Sequence, residues 1–103
     1  MSVKVQIIYW RDIPAQVKAR AGRQRLSRPL SKRFEVAIDE AAMRAGITDS
    51  DGYLAEWRNG EWQEQEGNPE TILTTLVDEL ETAYPPERLR TLIKQGGLEQ
   101  ESE

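Results

Sequence analysis

The run Val3-Lys4-Val5-Gln6-Ile7-Ile8-Tyr9-Trp10 has a period of two and is rich in β-branched and aromatic side chains. That period sets Val3, Val5, Ile7 and Tyr9 on one face of a strand and Lys4, Gln6, Ile8 and Trp10 on the other. One face is wholly apolar and the other mixed, which predicts a central strand. Asp12-Ile13-Pro14 supplies a turn, because proline removes a ladder donor and fixes φ. From Ala15 to Ala21 the alternation resumes, with Val17, Ala19 and Ala21 inward and Gln16, Lys18 and Arg20 outward. An antiparallel β-hairpin is the economical reading. Gly22 marks a bulge or turn, and Gln24-Arg25-Leu26 is placed to prolong the strand beyond it.

Working outward from the hairpin, Ser31 is an N-cap for a helix over residues 32–45. Phe34, Ala37, Ile38, Ala41, Ala42 and Ala45 form one apolar stripe, and Gly46 stands where a left-handed residue ends a helix. Thr48-Asp49-Ser50-Asp51 opens a short helix through about Trp57, with Tyr53, Leu54 and Trp57 along one buried edge. Residues 61–66 are a candidate third strand with Trp62 inward. Asn68 caps a helix with Pro69 at its first position, where the missing N–H costs nothing. Its stripe is Ile72, Leu73, Leu76, Val77, Leu80 and Ala83, and it ends at Tyr84-Pro85-Pro86. A last helix runs from Pro86 to about Gln95. The fold class expected is α+β: an N-terminal antiparallel hairpin, with a short third strand as an option, and two to four helices packed on one face. Residues 1–95 form a single domain in this reading, and 96–103 a flexible acidic tail.

With 103 residues, 38% hydrophobic and 31% charged, the chain has the composition of one small soluble domain. It holds no Cys and no His, which removes disulfides, thiolate metal sites, Cys nucleophiles and the commonest general base. No apolar run reaches the length of a membrane span, and the first ten residues lack a signal-peptide pattern. The expected compartment is therefore cytoplasmic. The expected cofactor and metal complement is none.

The net charge of −4 hides two opposed halves. Residues 1–46 carry ten basic and four acidic side chains, whereas residues 47–103 carry four basic and fourteen acidic ones. Lys18 to Arg33 holds seven basic residues in sixteen with no acid among them. Two readings compete. Either the acidic half folds against the basic half, or the basic segment is a loop that binds phosphate or another polyanion.

Three stretches stand out together: Tyr9-Trp10-Arg11-Asp12-Ile13-Pro14-Ala15-Gln16-Val17, Arg33-Phe34 through Ala41-Ala42-Met43-Arg44-Ala45-Gly46, and Tyr53-Leu54-Ala55-Glu56-Trp57. In this order they resemble the small bacterial domain family labelled virulence factor, similar to the C-terminal module of conserved virulence factor C proteins. The resemblance covers roughly residues 3–60, and the helical remainder matches loosely. It implies no reaction, cofactor or catalytic residue. Its members resemble accessory genes beside folate- and corrinoid-linked methyl-transfer functions, which implies a non-catalytic subunit as one role.

Trp10-Arg11-Asp12 is a candidate clamp for a planar or anionic ligand, by ring stacking and a bidentate guanidinium contact. The competing structural reading buries Trp10 at one end of the core and pairs Arg11 with Asp12 or with a helix acid. Arg23, Arg25, Arg28 and Arg33 surround a Gly and a Pro, and guanidinium forks suit phosphate. No aromatic residue lies between Lys18 and Arg33 to stack a base, which disfavours nucleic acid. Asp49, Asp51 and Glu56 are oxygen donors, but capping is the ordinary role of the first two. No nucleophile–base pair, phosphate-binding glycine loop or metal-ligand spacing is present in the sequence. The reading is thus a non-enzymatic accessory module without catalytic residues. It engages a protein partner or a phosphorylated ligand through Trp10, Arg11, Asp12, Arg23, Arg25, Arg28 and Arg33. The alternatives are a nucleic-acid-binding protein using the same loop and a subunit of a methyl-transfer enzyme. A homodimer through the 69–84 helix is a further option, and no membrane association is expected.

Overall fold

A computed structural model describes residues 2–99. Strands β1 (Ser2–Trp10) and β2 (Ile13–Ala21) form the expected hairpin, and β3 (Gln24–Pro29) adds a second one across Gly22-Arg23. Helices α1 (Lys32–Arg44) and α2 (Ser50–Ala55) follow, then β4 (Trp57–Asn59), β5 (Gln63–Glu66), α3 (Pro69–Ala83) and α4 (Pro86–Lys94). The antiparallel sheet runs β3-β2-β1, and the far side of β1 is shared by β5 along Ser2–Val5 and β4 along Ile8–Trp10. β1 is central, as its alternation requires. The architecture is α+β, a hairpin-led sheet with four helices among the described residues.

The core follows the period of two. Val3, Val5, Val17, Ala19 and Ala21 are buried with Leu73 and Leu80 of α3 and with Phe34, Ala37, Ile38, Ala41 and Ala42 of α1. Three small alanines on α1 allow close approach, and Leu89 and Leu92 of α4 complete the core. Gly46 adopts φ +75, and Ile47 N–H donates to Ala42 O at 3.0 Å, closing α1 as its sequence predicts. Asn68 Oδ1 accepts from Glu70 N and Thr71 N, capping α3 ahead of Pro69.

Several expectations are corrected. Ser31 gives α1 no side-chain cap; its hydroxyl and N–H both bind the Glu81 carboxylate. α2 stops at Ala55, no residue in it is fully buried, and Leu54 is exposed. Trp57 enters β4 instead, opposite Trp10. Trp62 faces outward, 41% exposed, with the Arg20 guanidinium 5.0 Å above its ring. The segment after the hairpin is an edge strand rather than a loop, with Pro29 at its end, where a missing ladder donor is tolerated. At 96–99 the chain is held: Gly96 and Gly97 are buried, Asp12 N donates to Gly97 O at 2.8 Å, and Glu99 N donates to Asp12. The rest of the expected tail, 100–103, lies outside the described residues.

Two phenols make the fold sensitive to alkali. Burial pushes Tyr84 above its ordinary value of 10.0, against the opposing pull of Arg88, and burial followed by Asp39 and Glu35 raises Tyr53 likewise. The folded chain holds these protons where the unfolded chain gives them up. Stability is therefore intact below about pH 10 and falls as pH rises through the raised folded values. Urea melts across that range are expected to show a falling midpoint, flattened in the Tyr53→Phe, Tyr84→Phe double variant. An unchanged midpoint through pH 11 (roughly one unit above the unfolded value) contradicts it.

Candidate functional site

Antiparallel partners share a face, so the register assigns sides to the basic segment. Val5, Ala19 and Leu26 are aligned across β1, β2 and β3 on the helix side, and so are Ile7, Val17 and Arg28. The opposite face carries the rows Lys4–Arg20–Arg25 and Gln6–Lys18–Ser27. Lys4, Lys18 and Arg25 are exposed there and Arg20 is half-buried. The Gly60-Glu61-Trp62 connection between β4 and β5 folds across β1 on this side. Gly60 O accepts from Gln6 Nε2 at 2.9 Å, and Trp62 reaches Arg20 two strands away. Lys18, Arg20, Arg25, Ser27 and Trp62 line a surface cavity of about 260 Å³.

The electrostatics of this face are unbalanced. Lys4, Arg20 and Arg25 stand side by side on adjacent strands, and like charges directly opposite each other are destabilising. Glu64 lies opposite Lys4 at the far end of the row. Among the described residues, no acidic side chain forms an ion pair with Lys18, Arg20, Arg23, Arg25 or Arg28. Glu64 thus faces the Lys4 end, while Lys18, Arg20 and Arg25 present ammonium and guanidinium donors with no ion-pair partner among the described residues.

The other basic residues singled out in the sequence are placed differently. Trp10 is fully buried, its Nε1 donates to Tyr53 O at 2.9 Å, and its ring stacks on Tyr53 at 5.7 Å. A stacking clamp needs an open ring face, so Trp10 is a core residue. Arg11 and Asp12 do not pair with each other. Arg11 donates to Gly96 O at 2.9 Å and approaches Glu56 at 3.4 Å, while Asp12 accepts from Arg58 at 3.2 Å. Arg11 also holds φ +51, and Arg11 N–H donates to Glu56 O at 3.0 Å, tying the strained turn to the end of α2. Arg33 is locked: it pairs with Glu81 at 2.8 Å and donates to the carbonyls of Glu81 and Tyr84. Arg23 lies in the β2–β3 turn, and Arg28 falls on the helix side of the sheet edge. The charge split divides by residue. Arg11 and Arg33 answer acids of the second half, whereas Arg25, with Lys18 and Arg20, stays open.

Sequence reasoning missed Lys4, Lys18, Arg20 and Trp62 as members of one site. The outward period of Lys18 and Arg20 was the available signal. Among the described residues, no group of three or more acidic side chains is arranged to hold a metal ion, and Asp49 caps α2 by accepting from Gly52 N. No described helix is long and apolar enough to cross a membrane.

Neither a curated protein nor a solved structure matches this chain. A family model described as virulence factor matches residues 8–93, from the second half of β1 almost to the end of α4. That span takes in the Trp10-Arg11-Asp12 turn, Lys18, Arg20 and Arg25 of the open sheet face, α1 to α3 and all but the last residue of α4, and the chain belongs to the virulence factor family.

Proposed function

We propose that this chain is a non-catalytic accessory module that binds a phosphate-bearing ligand on the open face of its sheet. The observation carrying this reading is the cross-strand row Lys4–Arg20–Arg25, flanked by Lys18, in which Arg20 and Arg25 have no ion-pair partner among the described residues. A row of like charges costs stability in the free protein, and an arriving phosphate relieves that cost while accepting several charge-assisted hydrogen bonds. Two guanidinium forks supply planar bidentate donors, and Ser27 adds a hydroxyl at the cavity wall. Trp62 closes one side with an apolar ring. The site thus moves from the loop expected in the sequence to a rigid sheet face, where donor positions are set by the strand register.

Titration of inorganic pyrophosphate, followed by tryptophan fluorescence, tests it. Binding is expected to weaken several-fold as salt rises from about 50 to about 200 mM, since the contacts are ionic. The triple variant Lys18→Glu, Arg20→Glu, Arg25→Glu should lose binding. The control Arg23→Glu, Arg28→Glu, on the turn and the helix side, should stay within roughly threefold of wild type. Equal loss in the control and the triple variant, or no loss in the triple variant, overturns the reading.

A further inference from the structure

β3 is the free edge of the sheet. Five of its six residues are exposed, and among the described residues no strand pairs with its outer side. One hydrogen bond fixes the direction of its backbone groups. Leu30 N–H donates to Ala15 O at 3.0 Å, one step beyond the Gln16–Pro29 pair. Bonded and non-bonded pairs alternate along an antiparallel ladder, so Gln24, Leu26 and Arg28 turn their N–H and C=O toward β2. Arg25 and Ser27 therefore turn theirs outward, together with the carbonyl of Pro29, which has no N–H to offer there. These outward groups are a template for one more strand.

The charge of the edge decides which strand fits. Arg23, Arg25 and Arg28 lie along it and no acid does, so two copies pairing edge to edge would bring both sets of arginines together uncompensated. An anionic segment meets no such repulsion. Arg25 and Ser27 also belong to the open face, where they line the cavity of about 260 Å³ with Lys18, Arg20 and Trp62. A residue added opposite Arg25 or Ser27 projects onto that same face. It stands about 5 Å from its β3 neighbour and about 10 Å from Arg20 or Lys18 beyond, the spacing of one and two strands. The ladder bonds that hold its backbone thus deliver its side chain to the basic cavity. Resting on the phosphate reading above, we infer that the ligand is a phosphorylated, extended segment of a partner protein, added to the sheet as a strand beside β3. Its backbone pairs with Arg25 and Ser27, and its phosphate lies on Lys18, Arg20 and Arg25.

Peptides selected on the full chain from a mixed-sequence library with one fixed phosphoserine test this, titrated beside their unphosphorylated forms, phosphoserine amide and pyrophosphate. The best phosphopeptides should bind about tenfold more tightly than phosphoserine amide, since ladder bonds add to the ionic contacts. Removing the phosphate should remove most of the affinity. Ser27→Pro takes away an outward N–H, a change tolerated on an edge strand, and Ser27→Ala keeps that N–H while losing the same hydroxyl. Ser27→Pro should weaken phosphopeptide binding about tenfold relative to Ser27→Ala, with equal pyrophosphate affinity in the two variants. Should Ser27→Pro fail to fold, amide hydrogen exchange on wild type decides. The Arg25 and Ser27 amides should gain protection with phosphopeptide and not with pyrophosphate, and their remaining unprotected overturns the inference. Phosphopeptides that bind no more tightly than phosphoserine amide or their unphosphorylated forms, or that bind the two Ser27 variants alike, overturn the strand addition and leave the phosphate face standing. Absence of binding by pyrophosphate and phosphopeptides alike overturns the phosphate reading itself. A short single-stranded oligonucleotide that binds more tightly than every phosphopeptide assigns the face to nucleic acid and overturns the inference.

Discussion

Replacing Trp10 with Ala is expected to remove about 4 kcal/mol of folding stability, lowering Tm by roughly 20 °C in a domain of this size. The indole is fully buried. Its loss empties a cavity that the surrounding backbone cannot fill, removes the Nε1 bond to Tyr53 O, and leaves the Tyr53 ring without its stacking partner. Against a total stability of about 5–15 kcal/mol for a small domain, one such change approaches global unfolding. Urea denaturation of Trp10→Ala beside wild type measures it. A shift under about 1 kcal/mol shows that Trp10 is not the core residue described above.

Gly97→Ala is expected to cost about 3 kcal/mol, for two reasons that add. Gly97 sits at φ +89, and a Cβ there comes within 2.9 Å of Trp10 Cζ3 and 3.4 Å of Arg11 Cδ. An L-side chain in that region costs about 1–2 kcal/mol, and overpacking against a ring that cannot move costs a similar amount again. The ring is fixed because Tyr53 stacks on it, and the Gly97 backbone is fixed by bonds to Leu92 O and from Asp12 N. Gly22→Ala is the internal control. Gly22 also has positive φ, +59, but nothing lies within 4 Å of its added Cβ, so only the backbone cost of about 1 kcal/mol remains. Thermal melts of the two variants should therefore separate by roughly 10 °C, and equal melts contradict the packing described for Gly97.

Most of the fold is legible in the sequence because its elements are periodic over long enough spans. β1 alternates from Val3 to Ile8 and β2 from Ala15 to Ala21, and α1 and α3 repeat their apolar stripes over three turns or more, with Gly46 stopping α1 and Asn68 capping α3. β4 is not legible. It has three residues, and Trp57 stands four after Tyr53, a spacing that reads as helix until pairing with β1 claims it. Trp10 shares a strand face by period with Lys4 and Gln6. The irregularity after Ile8, where Tyr9 pairs with Pro14 and Ala15 is left over, comes before it in the strand. The period alone does not bury Trp10; the structural reading of Trp10 as the cover of one end of the core does, and the indole is fully buried. The site divides the same way. Lys18 and Arg20 are outward by alternation, but the facing of Arg25 depends on the β2–β3 register, and Trp62 arrives from 42 residues further along than Arg20. The lock on Arg33 was equally invisible, since Glu81 lies 48 residues away and is brought over only when the end of α3 packs beside the start of α1.

The anion-binding surface proposed for this chain is the open sheet face, not the turn, the sheet edge or the Trp10-Arg11-Asp12 corner. Backbone amide chemical-shift mapping during addition of pyrophosphate addresses this residue by residue. Saturable shifts should concentrate at Lys18, Arg20, Arg25, Ser27 and Trp62, with Arg11, Arg23 and Arg33 little moved. Shifts centred on Arg23, Arg28 or the Arg11–Asp12 turn, or no saturable shift at all, contradict it.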